Sequence, residues 1–244
     1  VPLSAYEHVT LAHGGGGRVM QRLIEELFLR SFGTHAASAH DAAALSLSGV
    51  PMVTTDAFTV RPLFFPGGDI GSLAVHGTIN DLACSGAQPV ALTAGFILEE
   101  GLELDVLGAI ASTMGRAAQE AGVSIVTGDT KVVGKGSADQ LFVNTAGVGV
   151  IPPGVHIGPE RARPGDGGIL SGPLGEHGVA ILSVREGIDF GTEVRTDSAP
   201  LHRLVAAMLS GAAEAGDRGA VHTLRDPTRG GLVASLVEIA RAAA

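Results

Sequence analysis

Five aspartates stand where a cation or a phosphate would be held. Asp41 (His-Asp-Ala-Ala), Asp56 (Val-Thr-Thr-Asp), Asp129 (Val-Thr-Gly-Asp-Thr-Lys) and Asp226 (Leu-Arg-Asp-Pro-Thr-Arg-Gly-Gly) each close a strand-like run or open a helix or turn. Asp81 lies inside a helical run, Thr-Ile-Asn-Asp-Leu-Ala, where Asp is a poor helix former. Converging carboxylates repel one another unless they are protonated or bridged by cations. Hard oxygen donors of this kind suit Mg²⁺, which takes one or two carboxylates together with nucleotide phosphates. Any one of these residues alone reads as an N-cap or turn residue. As a set they read as a metal site, and the expectation is that Asp56, Asp81 and Asp129 meet in one cleft with Asp41 nearby.

The neighbours of two of them suit phosphate. In Gly128-Asp129-Thr130-Lys131 the glycine permits close approach, Thr130 offers a hydroxyl and Lys131 a cation for the transferring phosphoryl group. Asp226-Pro227-Thr228-Arg229-Gly230-Gly231 opens a helix whose N–H groups and dipole favour an anion, with Thr228 beside it and Arg229 as a bidentate partner. Gly14-Gly15-Gly16-Gly17 precedes the first helix and either drapes Gly15, Gly16 and Gly17 over phosphates or forms a flexible arm. Neither a Walker A pattern nor a G-x-G-x-x-G after a strand is present, so a nucleotide site here is of another kind. His177, in Gly-Pro-Leu-Gly-Glu-His-Gly, is balanced between turn structure and substrate contact. Cys84 shares a helix with Asp81 and reads as a small buried thiol.

The elements that must carry these residues alternate. Helical spacing covers 18–32, 70–84 and 104–121, the last closed by Gly122 as a C-cap. Strand-like runs cover 51–55, 91–98, 123–127 and 141–150, so the fold class is α/β or α+β. The proline-rich stretch Ile151–Gly167 marks a boundary between residues 1–152 and 153–244. Beyond it, strands are expected near 169–171 and 221–224, and helices near 179–185, 200–215 and at the end.

Composition narrows the function classes. A net charge of −9 with only 17% charged residues leaves no broad basic face for nucleic acid or anionic lipid. A single cysteine excludes an internal disulfide framework and fits a reducing cytoplasm. No apolar run approaches the length of a membrane span. The chain starts at Val1 and its last helical pattern has no stop signal, so it reads as lacking a C-terminal part.

Taken together these motifs resemble the aminoimidazole ribonucleotide synthetase (PurM-like) superfamily. Within it the sequence is similar to the HypE family of hydrogenase maturation proteins, through Leu11–Gly17, Pro62–Gly71, Gly95–Leu102, Gly128–Val133, Phe142–Gly147 and Arg225–Gly231. The resemblance implies a two-domain fold with a complete N-terminal and a truncated C-terminal domain, and a homodimer formed through the N-terminal domains. It implies ATP and Mg²⁺ on the aspartate loops, with Asn144 among the nucleotide-binding residues and Lys131 and His177 as catalytic residues. The implied reaction is dehydration of a thiocarboxamide on a C-terminal cysteine to a thiocyanate. The carbamoyl group would come from HypF, and the cyanide would go to the iron of a nickel–iron hydrogenase through HypC–HypD. A superfamily kinase acting on thiamine monophosphate, and a non-catalytic maturation scaffold, are the competing readings.

Overall fold

The computed structural model describes residues 2–33 and 42–244. Asp41 therefore lies outside the described residues.

Four strands form one mixed sheet in the order β1-β6-β4-β5: β1 (Val50–Phe58), β4 (Gln88–Glu99), β5 (Ser124–Val133) and β6 (Leu141–Ile151). β6 runs antiparallel to both β1 and β4, whereas β4 and β5 are parallel. The parallel pair needs a crossover, and α4 (Leu104–Ala121) supplies it, ending at Gly122 in the left-handed conformation. A two-stranded ribbon, β2 (Phe64–Phe65) with β3 (Gly68–Asp69), leads into α3 (Ile70–Cys84). Asp69 caps that helix: its Oδ1 accepts from the N–H of Gly71 at 2.7 Å and of Ser72 at 2.9 Å.

One face of the sheet is the core. Leu92, Ala94, Phe96, Val143 and Ile125 point to it and are buried by Ile70, Ala74, Val75 and Ile79 of α3 and by Leu107, Ile110 and Met114 of α4. The N-terminal rod, α1 (Arg18–Arg22), a π-helical stretch (Leu23–Leu29) and α2 (Arg30–Phe32), adds Leu23, Leu27 and Phe28, with Phe28 stacked on Phe96 at 4.5 Å. Among the described residues, no helix packs on the opposite face of the sheet. Val53 on β1 and Ile97 on β4 lie there 70% and 42% exposed, so large apolar side chains stand open on that face.

The second unit has helices α5 (Glu176–Glu186), α6 (His202–Glu214) and α7 (Gly231–Ala242). It is joined to the first through Asn80, whose amide donates to the carbonyl of Ala199 and accepts from the N–H of Leu201. The strands expected near 169–171 and 221–224 do not form. A strand exists only with a ladder partner: Ile169 is 91% exposed, and near 221–224 the carbonyl of His222 accepts from the N–H of Gly158 without a ladder following.

Helix packing here is close enough to test. A Cβ on Gly115 of α4 would lie 1.9 Å from the carbonyl oxygen of Ser31 in α2. Gly115→Ala is expected to lower stability by about 1–3 kcal/mol, the usual cost of overpacking, read as a fall in Tm. A Tm equal to that of the unaltered chain would refute the close crossing.

Candidate functional site

β1 places Thr54 and Asp56 on its helix-covered face, because side chains two apart share a face. α3 crosses that face, and the hydroxyl of Thr54 donates to Asp81 Oδ2 at 2.7 Å. From the second unit, the loop before α7 brings Arg225, Asp226 and Arg229 to the same place. Burial, then the charge of Asp81, holds the Asp56 carboxyl above the usual range, while Arg229 pulls it back down. Asp226 is pushed up to about 6, first by burial, then by Asp81, with Asp56 adding to it. Three carboxylates thus sense one another in a partly dry pocket, with the guanidinium of Arg229 acting on Asp56 and that of Arg225 on Asp226. Cys84 lies one turn beyond Asp81; burial, then Asp226 and Asp81, push its thiol up to about 12, which makes it a poor nucleophile.

Asp129 is elsewhere. Asp56 pairs with Thr145, whereas Asp129 pairs with Gly95 and Gly95 with Asn144. Thr145 and Asn144 are adjacent on β6, so Asp56 and Asp129 lie on opposite faces of the sheet. They are also about three strand spacings apart, some 14 Å. The expectation that Asp56, Asp81 and Asp129 meet in one cleft of this chain is not met. Asp56 and Asp129 are both expected at strand ends, but β1 runs on to Phe58 and β5 to Val133, so both lie inside strands, where the face each takes depends on register. Asp226, expected in the set, does join Asp56 and Asp81.

On the open face, Lys131 pairs with Asp129 at 2.8 Å, both being well exposed. That hydrogen bond, ahead of the other effects, holds Asp129 below the ordinary carboxylate range. The buried Thr130 gives its N–H to Asp129 Oδ1 at 2.9 Å. Asn144 on the same face donates to the carbonyl of Asp56 at 2.8 Å. Gly128 does allow a close approach, but to protein: a Cβ there would sit 2.1 Å from the carbonyl oxygen of Ala94. Gly14 packs on Val132, beside Lys131, and the stretch Gly15, Gly16, Gly17 continues from it towards α1, with open space beside Gly16 and Gly17.

Thr228 and Arg229 precede α7, and the carbonyl of Thr228 accepts from the N–H of Gly231. His177 lies apart from the acidic trio. Its Nδ1 is 3.0 Å from the Thr196 hydroxyl and its ring meets Phe65 edge-on at 5.2 Å, near the start of α3. Asp81 is 11 residues beyond the start of that helix, about 16 Å. Burial lowers the His177 pKa, so the ring is neutral near pH 7.

Sequence reasoning missed three supports: Thr54, which anchors Asp81; Asn80, which ties the two units; and Asp197, whose carboxylate accepts from the N–H groups of Glu176 and His177 at the start of α5. Only the Asn-Asp pair at 80–81 carried a signal. The others act across tens of residues.

Two family models match the chain: AIR synthase related protein, N-terminal domain, over residues 39–151, and AIR synthase related protein, C-terminal domain, over residues 163–244. The chain is 54% identical to carbamoyl dehydratase HypE of Bradyrhizobium diazoefficiens over 235 residues, covering 96% of this chain and 66% of that protein. A crystal structure of the hydrogenase maturation protein HypE in complex with ATP is similar at a TM-score of 0.90 and 50% identity, covering 96% of this chain and 68% of the other. HypE from a HypE–HypF complex is similar at a TM-score of 0.76 and 47% identity, covering 91% and 70%. The chain thus spans about two thirds of the length of the curated relatives it matches.

The raised carboxyl gives a signed prediction. A folded-state pKa of about 6 lies above the ordinary 3.8. The native state then binds more protons than the unfolded state between those values, so this group's stabilisation is present below about pH 4 and lost as pH rises through 6. Asp226→Asn removes the buried charge. It is expected to be more stable than the unaltered chain by up to about 3 kcal/mol near pH 8, with the gain vanishing near pH 4. Denaturant unfolding at the two pH values checks it; a gain independent of pH would refute the buried-charge account.

Proposed function

The chain belongs to the HypE family of AIR synthase related proteins, and on that premise we propose that it is the ATP-binding part of a carbamoyl dehydratase of nickel–iron hydrogenase maturation. The observation that carries the reading is the similarity, over 96% of the chain, to a HypE solved with ATP. The polar groups described above supply the chemistry such a site needs. In the whole protein the reaction would convert a thiocarboxamide on a C-terminal cysteine, with ATP, into a thiocyanate, ADP and phosphate. The amide oxygen takes the terminal phosphoryl group and departs as phosphate, while the nitrogen loses both protons. The domain division 1–152 and 153–244 belongs to the same proposal.

Lys131, on an exposed strand edge, is assigned to offset charge on the transferring phosphoryl group, and Asn144, Thr228, Arg229 and the glycine loop to hold the nucleotide. Thr130, expected among them, is buried on the helix-covered face and is left out of that set. Arg229 supports this most directly, because it is a guanidinium already facing carboxylates, as a phosphate-bridged site requires. Asp56, Asp81 and Asp226 fit a magnesium ion in donor type and in their mutual repulsion. No three metal-ligating side chains among the described residues converge tightly enough to form a cage. That arrangement suits an ion completed by phosphate oxygens and water. When bound, the ion would neutralise phosphate charge. Asp129, expected as a ligand of the same ion, lies on the other face paired with Lys131 and is not part of that set. His177, expected as catalytic, is held by Thr196 and Phe65 away from the acidic trio, and its role is instead assigned to anchoring the start of α5.

The open sheet face, with apolar Val53 and Ile97 exposed on it, supports a homodimer formed through the first domain. HypF as partner rests on the solved HypE–HypF complex, and HypC–HypD as acceptor on the family resemblance. No described helix is long and apolar enough to cross a membrane, and a cytoplasmic location is part of the proposal.

The test is ATP turnover by the full-length protein with a carbamoylated terminal cysteine. Lys131→Ala is expected to cut kcat by about 10²–10³, the cost of losing one preorganised electrostatic contact. The exposed pair with Asp129 contributes at most about 1 kcal/mol to folding, so Tm should barely move. Unchanged turnover would remove Lys131 from the site.

A further inference from the structure

We propose that His13 is a positioning residue, whose neutral imidazole, protonated on Nε2 and bonded through Nδ1 to Thr10, latches the glycine loop 14–17 onto the edge of β5 where the nucleotide phosphates are held. The proposal rests on the nucleotide reading above and adds to it the device that sets the loop.

His13 is completely buried, although it is a polar residue in a short turn of the N-terminal arm. The backbone N–H of Thr10 lies 3.0 Å from His13 Nδ1, and the Thr10 hydroxyl lies 3.0 Å from the same atom. An amide N–H can only donate, so Nδ1 is the acceptor and carries no proton. The single proton of the neutral ring is therefore on Nε2. That nitrogen is buried without a hydrogen-bond partner among the described residues, and the Tyr6 ring stands at 77° to the imidazole with centroids 4.9 Å apart. Burial also lowers the His13 pKa, which keeps the ring in this form at neutral pH. Filling space alone would be met by a leucine. An imidazole is needed to accept from Thr10.

The bond closes the turn Leu11–Gly14, which delivers the loop. Upstream, Val9 is fixed to the β4–α4 connection by two backbone bonds, to the carbonyl of Leu102 and from the N–H of Gly101. Downstream, Gly14 is seated so tightly on β5 that a Cβ would lie 2.8 Å from the backbone nitrogen of Val132. Val132 is the neighbour of Lys131. From there the chain turns outward: Gly16 has a φ of +74°, and neither Gly16 nor Gly17 has a heavy atom within 4 Å of its would-be Cβ. The turn is thus held on its protein side and free on the other, beside the cation assigned to phosphate. A loop held in place before binding saves the entropy of ordering it on the ligand.

The test compares His13→Ala with His13→Asn, since the Oδ1 of asparagine can stand where Nδ1 accepts from Thr10. Both variants lose the ring, so a merely structural role would harm them alike. Calorimetry with Mg²⁺ and the non-hydrolysable nucleotide AMPPCP is the readout, at equal folded fraction. His13→Ala is expected to weaken binding about tenfold, and His13→Asn to recover most of that loss. Equal weakening in both, or none in either, overturns the latch while leaving the nucleotide reading intact. Absence of binding by the unaltered chain overturns the nucleotide reading and the proposal together.

Discussion

The candidate site depends on how closely α3 lies against the sheet. A Cβ on Gly147 of β6 would meet the Thr78 methyl of α3 at 2.7 Å, and one on Gly77 of α3 would meet the Phe58 ring of β1 at 3.0 Å. Thr78 and Thr145 share a hydroxyl hydrogen bond in the buried seam. Small residues on both sides let the helix settle low, and that brings Asp81 within reach of Thr54 and into the field of Asp56. With larger residues along the seam the two acids would be further apart and more hydrated, and their mutual effect would fade. The other wall of the pocket is held by Asn80, the residue before Asp81, which fixes the segment leading into α6 of the second unit. One helix therefore carries both the acid and the clasp that brings Asp226 to it.

The sheet divides the polar residues into two groups. The acidic trio lies under α3, and Asp129, Lys131 and Asn144 lie on the open face. The division follows from the alternation of side chains along strands and from the pairing register, neither of which tolerates a one-residue error. A nucleotide reading has to accommodate both groups, so the N-terminal arm matters: it meets the edge strand β5 beside Lys131. Edge strands are the positions a sheet leaves free for another segment, and this one has been given a glycine.

Sequence reasoning located the first domain's elements well. The helix over 104–121 matches α4, with Gly122 as its left-handed cap, and 70–84 matches α3. The strands β1, β4, β5 and β6 each extend a run recognised from its apolar pattern. It failed in the second unit, at 169–171 and 221–224, because a short β-rich run becomes a strand only if another strand lies beside it.

What the sequence determined by itself is local: helical and strand periodicity, the capping glycine after α4, the family strings, and the set of acids and cations available. These follow from interactions within a few residues, or from identity of whole motifs. Only the tertiary structure decided which acids share a pocket. Asp226 joins Asp56 and Asp81 across 145 or more positions of chain, while Asp129 goes to the other face although it lies nearer to both in sequence. The physical reason is that a carboxylate acquires its neighbours through strand register, the depth of a helix on a sheet and one clasping amide, and none of these is a property of the residues adjacent to it.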